Sequence, residues 1–245
     1  MKLLLINPNI SPGITRRLAE AAEAAAAPDT HITPLTAKVG VEYISDRAEA
    51  QLAGAAVLDM LAEHASGHDA AIIAAFGDPG LWAARELFDI PVVGMAEAAM
   101  HTAAMVGERF SIVTFAPALG NWYRDCVRDT GLSSRLAAIR SLDTGFGSVD
   151  RVAEEKEAAL ADLCTRTARE DGADVVILAG APLAGLAAHI RDRVAVPLIE
   201  QAAASVAQAE TLARLGAAAR PGPRPAKASS GLSAALMQRL GAVHA

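Results

Sequence analysis

The sequence predicts an α/β fold of two pseudo-symmetric, doubly wound lobes with parallel sheets and a site in the cleft between them. The first observation is an internal repeat: DAAIIAAFGDPG, which starts at Asp69, returns as DVVILAGAPLAG from Asp174. The second is the alternation of short apolar runs with long amphipathic segments, which is typical of parallel strands covered by helices. Two copies of such a unit predict two lobes related by a pseudo-twofold axis.

Continuous apolar runs predict strands that are buried on both faces. The clearest four span residues 3–6, 70–75, 111–114 and 175–178. Amphipathic segments predict helices over residues 12–27, 47–65, 81–87, 119–130, 152–170 and 201–215. Ser11-Pro12 and Asp78-Pro79 each place a capping residue before a proline, so each predicts a helix start.

The repeat divides the chain into three parts. We expect residues 1–107 together with 200–216 to form lobe 1, and residues 108–199 to form lobe 2. Residues 217–245 are expected to form a Pro/Ala-rich linker and a terminal helix over 232–240, because the segment 217–230 is rich in Pro, Ala and Arg.

Composition argues against several classes of protein. The 245 residues are 52% hydrophobic and carry a net charge of −6, which favours a small-molecule ligand over nucleic acid or an anionic membrane. Two cysteines exclude a disulfide framework, the histidines lack metal-ligand spacing, and no metal or cofactor is expected. Without a long apolar stretch or a signal-peptide pattern, the expected location is the cytoplasm. The alanine-rich helices favour packing between chains, so a homo-oligomer is expected.

The ligand is expected beyond the carboxyl ends of the strands, where open parallel sheets bind ligands. Four loops follow predicted strands, over residues 7–11, 76–80, 115–120 and 180–185. Their glycines allow close backbone approach, and helix N-termini offer N–H groups to a polar ligand. The residues expected to bind substrate include Asn7, Asn9, Ser11, Phe76, Gly77, Ala181 and Pro182. The polar ones could equally satisfy turn backbone or cap a helix.

Four segments resemble the aspartate/glutamate/hydantoin racemase superfamily, in particular its hydantoin racemase branch. They are INPNISPGIT, AAFGDPGLWAAREL, IPVVGMAEAAMH and VILAGAPLAGLA, and the resemblance extends over residues 1–216. It implies a site between two lobes, where two cysteines on opposite faces of the substrate exchange its α-proton. The matching positions are Ala75 and Gly180, and the resemblance adds Glu200, after the VPLI strand, to the implied substrate site.

Both family cysteines are therefore replaced, which argues against two-thiol racemisation. Cys126 and Cys164 lie inside predicted helices, where we interpret them as packing or surface residues. Ala and Gly carry no titratable proton, whereas a positioned acid or base contributes about 10²–10⁴-fold in rate. Other residues must then catalyse, or the protein binds without catalysis.

Asp78 and Tyr43 are the leading candidates for a replacement acid and base. Asp78 lies three residues after Ala75, and its alternative role is a helix cap. Tyr43 could donate a hydrogen bond or a proton, and its alternative role is packing. Arg47 could clamp a carboxylate or serve a helix start. The Glu97–His101 pair could act as acid and base or form a surface pair on one helix face.

Two functions follow from this sequence. The first is an enzyme that acts next to the carbonyl of a small carboxylate, amino-acid derivative or hydantoin-like cyclic amide. Its reaction could be epimerisation, elimination, decarboxylation or ring hydrolysis. The second is a protein that binds a small metabolite on the same fold without turnover.

Overall fold

The computed structural model describes residues 1–143, 145 and 147–244. Lobe 1 holds a parallel sheet with the strand order β2-β1-β3-β4. Its strands are β1 (Lys2–Asn7), β2 (His31–Thr36), β3 (Ala70–Ile73) and β4 (Val92–Gly94). The connecting helices are α1 (Pro12–Ala25), α2 (Arg47–His64) and α3 (Leu81–Leu87), and α4 (Met95–Val106) follows the last strand.

Lobe 2 repeats this arrangement with the strand order β6-β5-β7-β8, again all parallel. Its strands are β5 (Phe110–Thr114), β6 (Leu136–Ser141), β7 (Val175–Leu178) and β8 (Leu198–Glu200). Its helices are α5 (Gly120–Asp129), α6 (Val152–Asp171), α7 (Leu186–Ile190) and α8 (Gln201–Leu215). The predicted fold class of two parallel α/β lobes is confirmed.

The strand cores follow directly from the apolar runs. Leu3, Leu4, Leu5 and Ile6 are completely buried, as are the residues of β3. Ser11 caps α1 by accepting from the Ile14 N–H, and Pro12 takes the first helical position as predicted. The edge strands β2 and β6 were not among the four predicted runs, because their side chains are mostly half-buried and polar residues interrupt them.

The final helix of each lobe packs on the sheet of the other lobe. Buried side chains of α4, from Ala96 to Ala103, belong to the core of lobe 2 with Ile112 and Val176. Buried side chains of α8, from Ala202 to Ala209, belong to the core of lobe 1. The predicted division assigns both α4 and α8 to lobe 1. Helix α8 follows the last strand of lobe 2 but packs on lobe 1, and the packing of α4 is shared with lobe 2. The exact lobe boundaries stay a prediction.

The tail contains more structure than an extended linker and one helix. Lys227–Ser229 (β9) and Ala242–His244 (β10) form a two-stranded parallel sheet around α9 (Ala234–Leu240). Leu236 and Met237 of α9 are buried, and Leu236 joins the apolar cluster of α2. Within the described residues, no helix is both long enough and apolar enough to cross a bilayer.

Candidate active site between the lobes

The two positions predicted to correspond to the family cysteines lie at equivalent strand ends. Ala75 follows β3 and Gly180 follows β7, and Ala75 is buried with 6% of its surface exposed. Aromatic rings from both lobes pack here. Phe76 contacts Tyr123 edge-on with 4.8 Å between ring centroids, and Tyr43 contacts Phe115 at 5.6 Å. Residues of both lobes therefore line one largely apolar cleft.

The structure around Gly180 accommodates only a glycine. Its φ of 115° lies in a region that L side chains rarely adopt, and a Cβ would lie 2.8 Å from Cε1 of Phe115. Its backbone is also fixed on both sides: its N–H donates to Oε1 of Gln201 at 3.1 Å, and its carbonyl accepts from Nε2 of Gln201 at 2.5 Å. A cysteine would require rearrangement of Phe115.

The turn after Gly180 faces away from solvent. Ala181 and Pro182 are buried in a 3-10 turn, and Ala181 belongs to the core of lobe 1. Their expected role in substrate binding stays a prediction. The same holds for Phe76, whose ring packs against Tyr123.

The indole ring of Trp122 packs directly against Gly77. A Cβ at position 77 would overlap this ring. The Sγ of Cys126 lies 3.6 Å from the Gly77 carbonyl oxygen, so this thiol is closer to the cleft than its helical position suggests. Burial and neighbouring carboxylates raise the pKa of Cys126, and burial raises the pKa of Cys164 to about 12. Both therefore remain protonated thiols at neutral pH, which opposes a role as base or nucleophile.

Asp78 caps a helix, but a different one from the helix predicted. Its carboxylate accepts from the N–H groups of Ala96 and Glu97, at 2.8 and 2.7 Å, at the start of α4. The expected cap of the segment 81–87 is wrong, since α3 begins after Gly80, whose φ is 79°. Gly94 makes the α4 cap possible because a Cβ there would overlap the carboxylate of Asp78.

Burial raises the pKa of Asp78 to about 7, and the two N–H donors only partly oppose this rise. The carboxyl is consequently close to half ionised at neutral pH, as a general base requires. The residue is half-buried and reaches a groove between α2 and α5. Its φ of 49° is uncommon for a residue other than glycine, asparagine or aspartate.

Glu200 caps the corresponding helix of lobe 2. One carboxylate oxygen accepts from the Ala203 N–H at 2.6 Å, and the other accepts from the Gly185 N–H at 3.3 Å. Burial raises the pKa of Glu200. The carboxylate lies beside a groove between α1 and α6, and its predicted contact with substrate is untested.

The predicted polar loop of lobe 1 forms a closed hydrogen-bond network. The Asn7 amide donates to the Asn9 side chain and to the Thr15 hydroxyl, both at 2.9 Å. Asn9 in turn accepts from the Ser11 N–H at 2.9 Å, and all three loop residues are buried. These contacts rigidify the loop, and a role in substrate binding stays a prediction.

Tyr43 places a hydroxyl inside the cleft. The oxygen is buried and has no hydrogen-bond partner among the described residues. Burial, assisted by the negative charge of Glu49, raises the pKa of Tyr43, so the hydroxyl keeps its proton at neutral pH. Tyr43 is therefore suited to donate a hydrogen bond and poorly suited to act as a base.

Sequence reasoning missed Thr114 and Tyr123, which also bring hydroxyls to this cleft. Thr114 ends β5, is fully buried, and would lie with Oγ1 3.7 Å from a Cβ at Gly180. Burial and the neighbouring Tyr43 raise the pKa of Tyr123, and a side-chain hydrogen bond with Thr114 opposes this rise. The sequence signal that could have identified Thr114 is a polar residue at the end of a buried strand, like Asn7 at the end of β1.

Two further candidates, Arg47 and Glu97, form ion pairs in the structure. Arg47 bonds Asp125 at 2.5 Å and the Asn121 carbonyl, and its side chain is 59% exposed. Glu97 pairs with Arg85 at 2.5 Å, so the acid–base pair considered for Glu97 and His101 is not supported by the geometry. In the described part of the chain, no three His, Cys, Asp or Glu residues are grouped as metal ligands.

Two grooves flank the cleft at pseudo-equivalent places. One of about 530 Å³ lies among α2, residues 77–83 and α5, and one of about 500 Å³ lies among α1, residues 184–188 and α6. An ion pair links the lobes beside each groove: Arg47–Asp125 and Arg17–Glu154. The lobes are thus joined on both sides of the cleft.

Comparison with known sequences agrees with this geometry. The sequence profile of the Asp/Glu/Hydantoin racemase family matches residues 3–209. The hydantoin racemase of Paenarthrobacter aurescens is 37% identical over 221 residues, which cover 88% of this chain and 92% of that protein. The hydantoin racemase of Pseudomonas sp. (strain NS671) is 35% identical, with coverages of 88% and 87%.

Solved structures show the same similarity. The allantoin racemase from Klebsiella pneumoniae superposes with a TM-score of 0.90 at 35% identity, over 96% of this chain and 98% of that chain. Arylmalonate decarboxylase superposes with a TM-score of 0.61 at 21% identity, over 91% and 96%, which is a likeness of fold alone.

Proposed function

Because this chain belongs to the Asp/Glu/Hydantoin racemase family, we propose that it is a racemase-family enzyme that acts without the two-thiol pair. The reaction takes place at the carbon next to the carbonyl of a small carboxylate, amino-acid derivative or hydantoin-like cyclic amide. Relatives named hydantoin racemase and allantoin racemase support this class of substrate. The observation that carries the proposal is the unpartnered Tyr43 hydroxyl, buried in the cleft where Ala75 and Gly180 replace the thiols.

Tyr43 is proposed to act on the carbonyl side of the substrate. Removal of a proton next to a carbonyl develops negative charge on the carbonyl oxygen. A donor held in a water-poor site stabilises that charge more strongly than water does. The raised pKa of Tyr43 keeps its proton in place, so the hydroxyl is available as this donor.

Asp78 is proposed to accept the proton from carbon. A pKa near 7 leaves a substantial fraction of the carboxylate ionised at neutral pH while retaining basicity. Each oxygen already accepts one backbone N–H and keeps further acceptor capacity. Delivery of a solvent proton to the opposite face of the planar intermediate, with release of the Asp78 proton to water, would complete epimerisation. Loss of a β-substituent from the same intermediate would give a lyase outcome. Loss of CO2 in place of the proton, followed by protonation of the carbon, would give a decarboxylase outcome.

A second candidate is a metabolite-binding protein without turnover. It is favoured by the engagement of both Asp78 oxygens in the α4 cap, which gives this carboxylate a structural role. Such a protein would gain stability from its ligand as RT ln(1 + [L]/Kd) and would catalyse no exchange.

Proton exchange in D₂O separates the two candidates. We would follow loss of the α-proton by NMR for hydantoins, allantoin and acidic amino acids. For an enzyme, Tyr43→Phe and Asp78→Asn should each lower the exchange rate by about 10²–10⁴-fold. Asp171→Asn is the matched control, because Asp171 ends α6 and its carboxylate pairs with Arg140, which is not one of the residues proposed for the site. Ligand-induced thermal stabilisation without exchange for any compound would favour the binding protein instead.

A further inference from the structure

An ion pair between α3 and α4 lies next to the Asp78 carboxylate. Arg85 Nη1 and Nη2 donate to the two carboxylate oxygens of Glu97 at 3.0 and 2.5 Å, which is the strong bidentate arrangement of an arginine and a carboxylate. Arg85 Nε also donates to the Val92 carbonyl at 3.0 Å. The two side chains are only 27% and 15% exposed. One guanidinium therefore joins the last strand of the lobe 1 sheet to the first turn of α4.

The first turn of α4 is also the place where Asp78 is held. The Asp78 carboxylate accepts from the N–H groups of Ala96 and Glu97 at 2.8 and 2.7 Å. Glu97 thus bonds Asp78 through its backbone and Arg85 through its side chain. A shift of this turn would move the donors that face Asp78, and the bond between Arg85 and Val92 restrains such a shift.

The two charges of the ion pair act on Asp78 in opposite directions. Burial is the largest cause of the raised pKa of Asp78, the negative charge of Glu97 adds to the rise, and the positive charge of Arg85 opposes it. Without the arginine, a second carboxylate would face Asp78 in a partly buried place, which disfavours the ionised form of Asp78. Arg85 therefore compensates the charge that Glu97 brings to this site.

The other titratable groups beside Asp78 in the described part of the chain are neutral or paired with one another. Cys126 of α5 keeps its proton, because burial and neighbouring carboxylates raise the pKa of its thiol. The charged residues that line the groove beside Asp78 form ion pairs among themselves; they are Arg47, Asp125, Arg128 and Asp129. His101 lines a cavity of about 230 Å³ together with Arg85 and Glu97, so its titration must be controlled for.

The internal repeat offers a comparison within the chain. When the two copies are aligned on the aspartates that begin them, lobe 2 has apolar residues at all three positions of this arrangement. The counterparts of Asp78, Arg85 and Glu97 are Leu183, Ile190 and Ala202. The residues of the ion pair thus accompany the Asp78 cap in lobe 1, and neither has a charged counterpart in lobe 2.

We propose that Arg85 and Glu97 are positioning residues for Asp78, because their ion pair anchors the helix start that holds this carboxylate and balances the charge beside it. The inference rests on the proposed function, in which Asp78 accepts the α-proton. It assigns control of the pH range in which Asp78 acts to two residues that are not proposed to touch the ligand.

The test follows the titration of Asp78 in the full chain by NMR of the side-chain carboxyl carbons. The Asp78 signal is identified by its loss in Asp78→Asn. Arg85→Gln removes a positive neighbour and should move the titration midpoint up by at least about 0.5 pH unit, whereas Glu97→Gln removes a negative neighbour and should move it down. Arg85→Lys keeps the charge, so its midpoint should lie closer to the wild type than that of Arg85→Gln.

A merely structural role would give a different pattern. A loosened helix start would weaken both N–H donors to Asp78, so Arg85→Gln and Glu97→Gln would then both raise the midpoint. Shifts in the same direction, or no downward shift in Glu97→Gln, overturn the proposal. Glu97→Gln decides the question alone if Arg85→Gln does not fold, because glutamine keeps the size of the side chain and an oxygen that can accept from Arg85.

Two control variants accompany this titration. Arg140→Gln is the matched control, because Arg140 also forms a bidentate ion pair, with Asp171, and belongs neither to the α4 cap nor to the groove beside Asp78. His101→Gln tests the remaining titratable neighbour of the ion pair. The Asp78 midpoint should stay at its wild-type value in both, and a shift in Arg140→Gln as large as that in Arg85→Gln would overturn the proposal.

The pH dependence of α-proton exchange separates this inference from the proposed function. With Asp78 as the base, the exchange rate rises with pH through the Asp78 midpoint, and this rise should move with the midpoint in each variant. Opposite midpoint shifts with an unmoved rate profile support the positioning role and contradict Asp78 as the base. A wild type that catalyses no exchange contradicts the enzyme, while the NMR titration still decides the positioning role.

Discussion

The two lobes differ in the carboxylate that caps the helix following the last strand of each sheet. Each has a helix that starts directly after its last strand, and the free N–H groups at that helix start need an acceptor. In lobe 1 the acceptor is Asp78 from the preceding loop, and the last residue of β4 is Gly94. In lobe 2 it is Glu200, the last residue of β8, and the repeat places Leu183 where Asp78 stands. The two halves thus share an electrostatic requirement without sharing the residue that meets it.

The two positions predicted to correspond to the family cysteines also differ. Ala75 is an ordinary buried alanine, whereas Gly180 has a positive φ and faces Phe115. A side chain at Ala75 meets no backbone restriction, whereas one at Gly180 meets both a positive φ and the ring of Phe115.

Restoring the cysteines gives the largest expected contrast. Gly180→Cys should destabilise the protein by about 2–5 kcal/mol, because backbone strain adds to overlap with Phe115. Ala75→Cys should cost about 1 kcal/mol. Urea denaturation measures both. Phe115→Leu should recover part of the loss in Gly180→Cys, and equal costs at the two positions would contradict the asymmetry.

Moving the lobe 2 cap into lobe 1 gives an intermediate effect. Gly94→Glu alone should destabilise by about 1–3 kcal/mol, since the new side chain meets the Asp78 carboxylate. Asp78→Gly alone removes the cap at a cost of about 0.5–2 kcal/mol. The double variant should lose about 1 kcal/mol less free energy of unfolding than the two single variants lose together, because the glutamate can then cap α4. Strict additivity in this double-mutant cycle would show that the two caps are not interchangeable.

The pH dependence of stability gives the smallest and most specific contrast. The pKa of Asp78 is about 7 in the folded protein and 3.8 as an ordinary side chain, so the folded state retains a proton that the unfolded state has released. The Asp78 contribution to stability must therefore fall as pH rises from about 4 to about 7. Asp78→Asn should remove this fall, seen as a pH-dependent difference from the wild type in unfolding free energy. Glu200→Gln should change the slope in the same direction, and no change in either variant would contradict the raised pKa values.

Much of the fold could be predicted from local patterns. The strand Val175–Leu178 and the helix Gln201–Leu215 match their predicted limits, because buried apolar runs and helical periodicity are strong local signals. The strand predicted over 70–75 ends at Ile73, where the chain turns toward the cleft. The family could also be identified from the sequence, whereas the replacement of its two cysteines by Ala75 and Gly180 stays a prediction.

The details of the site depended on long-range contacts. Asp78-Pro79 has the sequence of a helix start, but the carboxylate reaches α4, eighteen residues further on, because Gly94 leaves room for it. Glu97 was considered with His101 on its own helix, yet its partner is Arg85 from α3. The proximity of Tyr43, Thr114 and Tyr123 was not predicted, because these residues come from a loop, a strand end and a helix. Only the packing of the two lobes brings them together.

Helices α4 and α8 each pack on the sheet of the other half of the chain. An isolated half would leave part of one face of its sheet uncovered, because one of the helices that pack there comes from the other half. A half-length chain of this design could cover that face by taking the helix of a second copy, as in a domain-swapped dimer. The present chain is equivalent to such a dimer joined end to end, and cutting it between the halves should yield fragments that fold only when mixed.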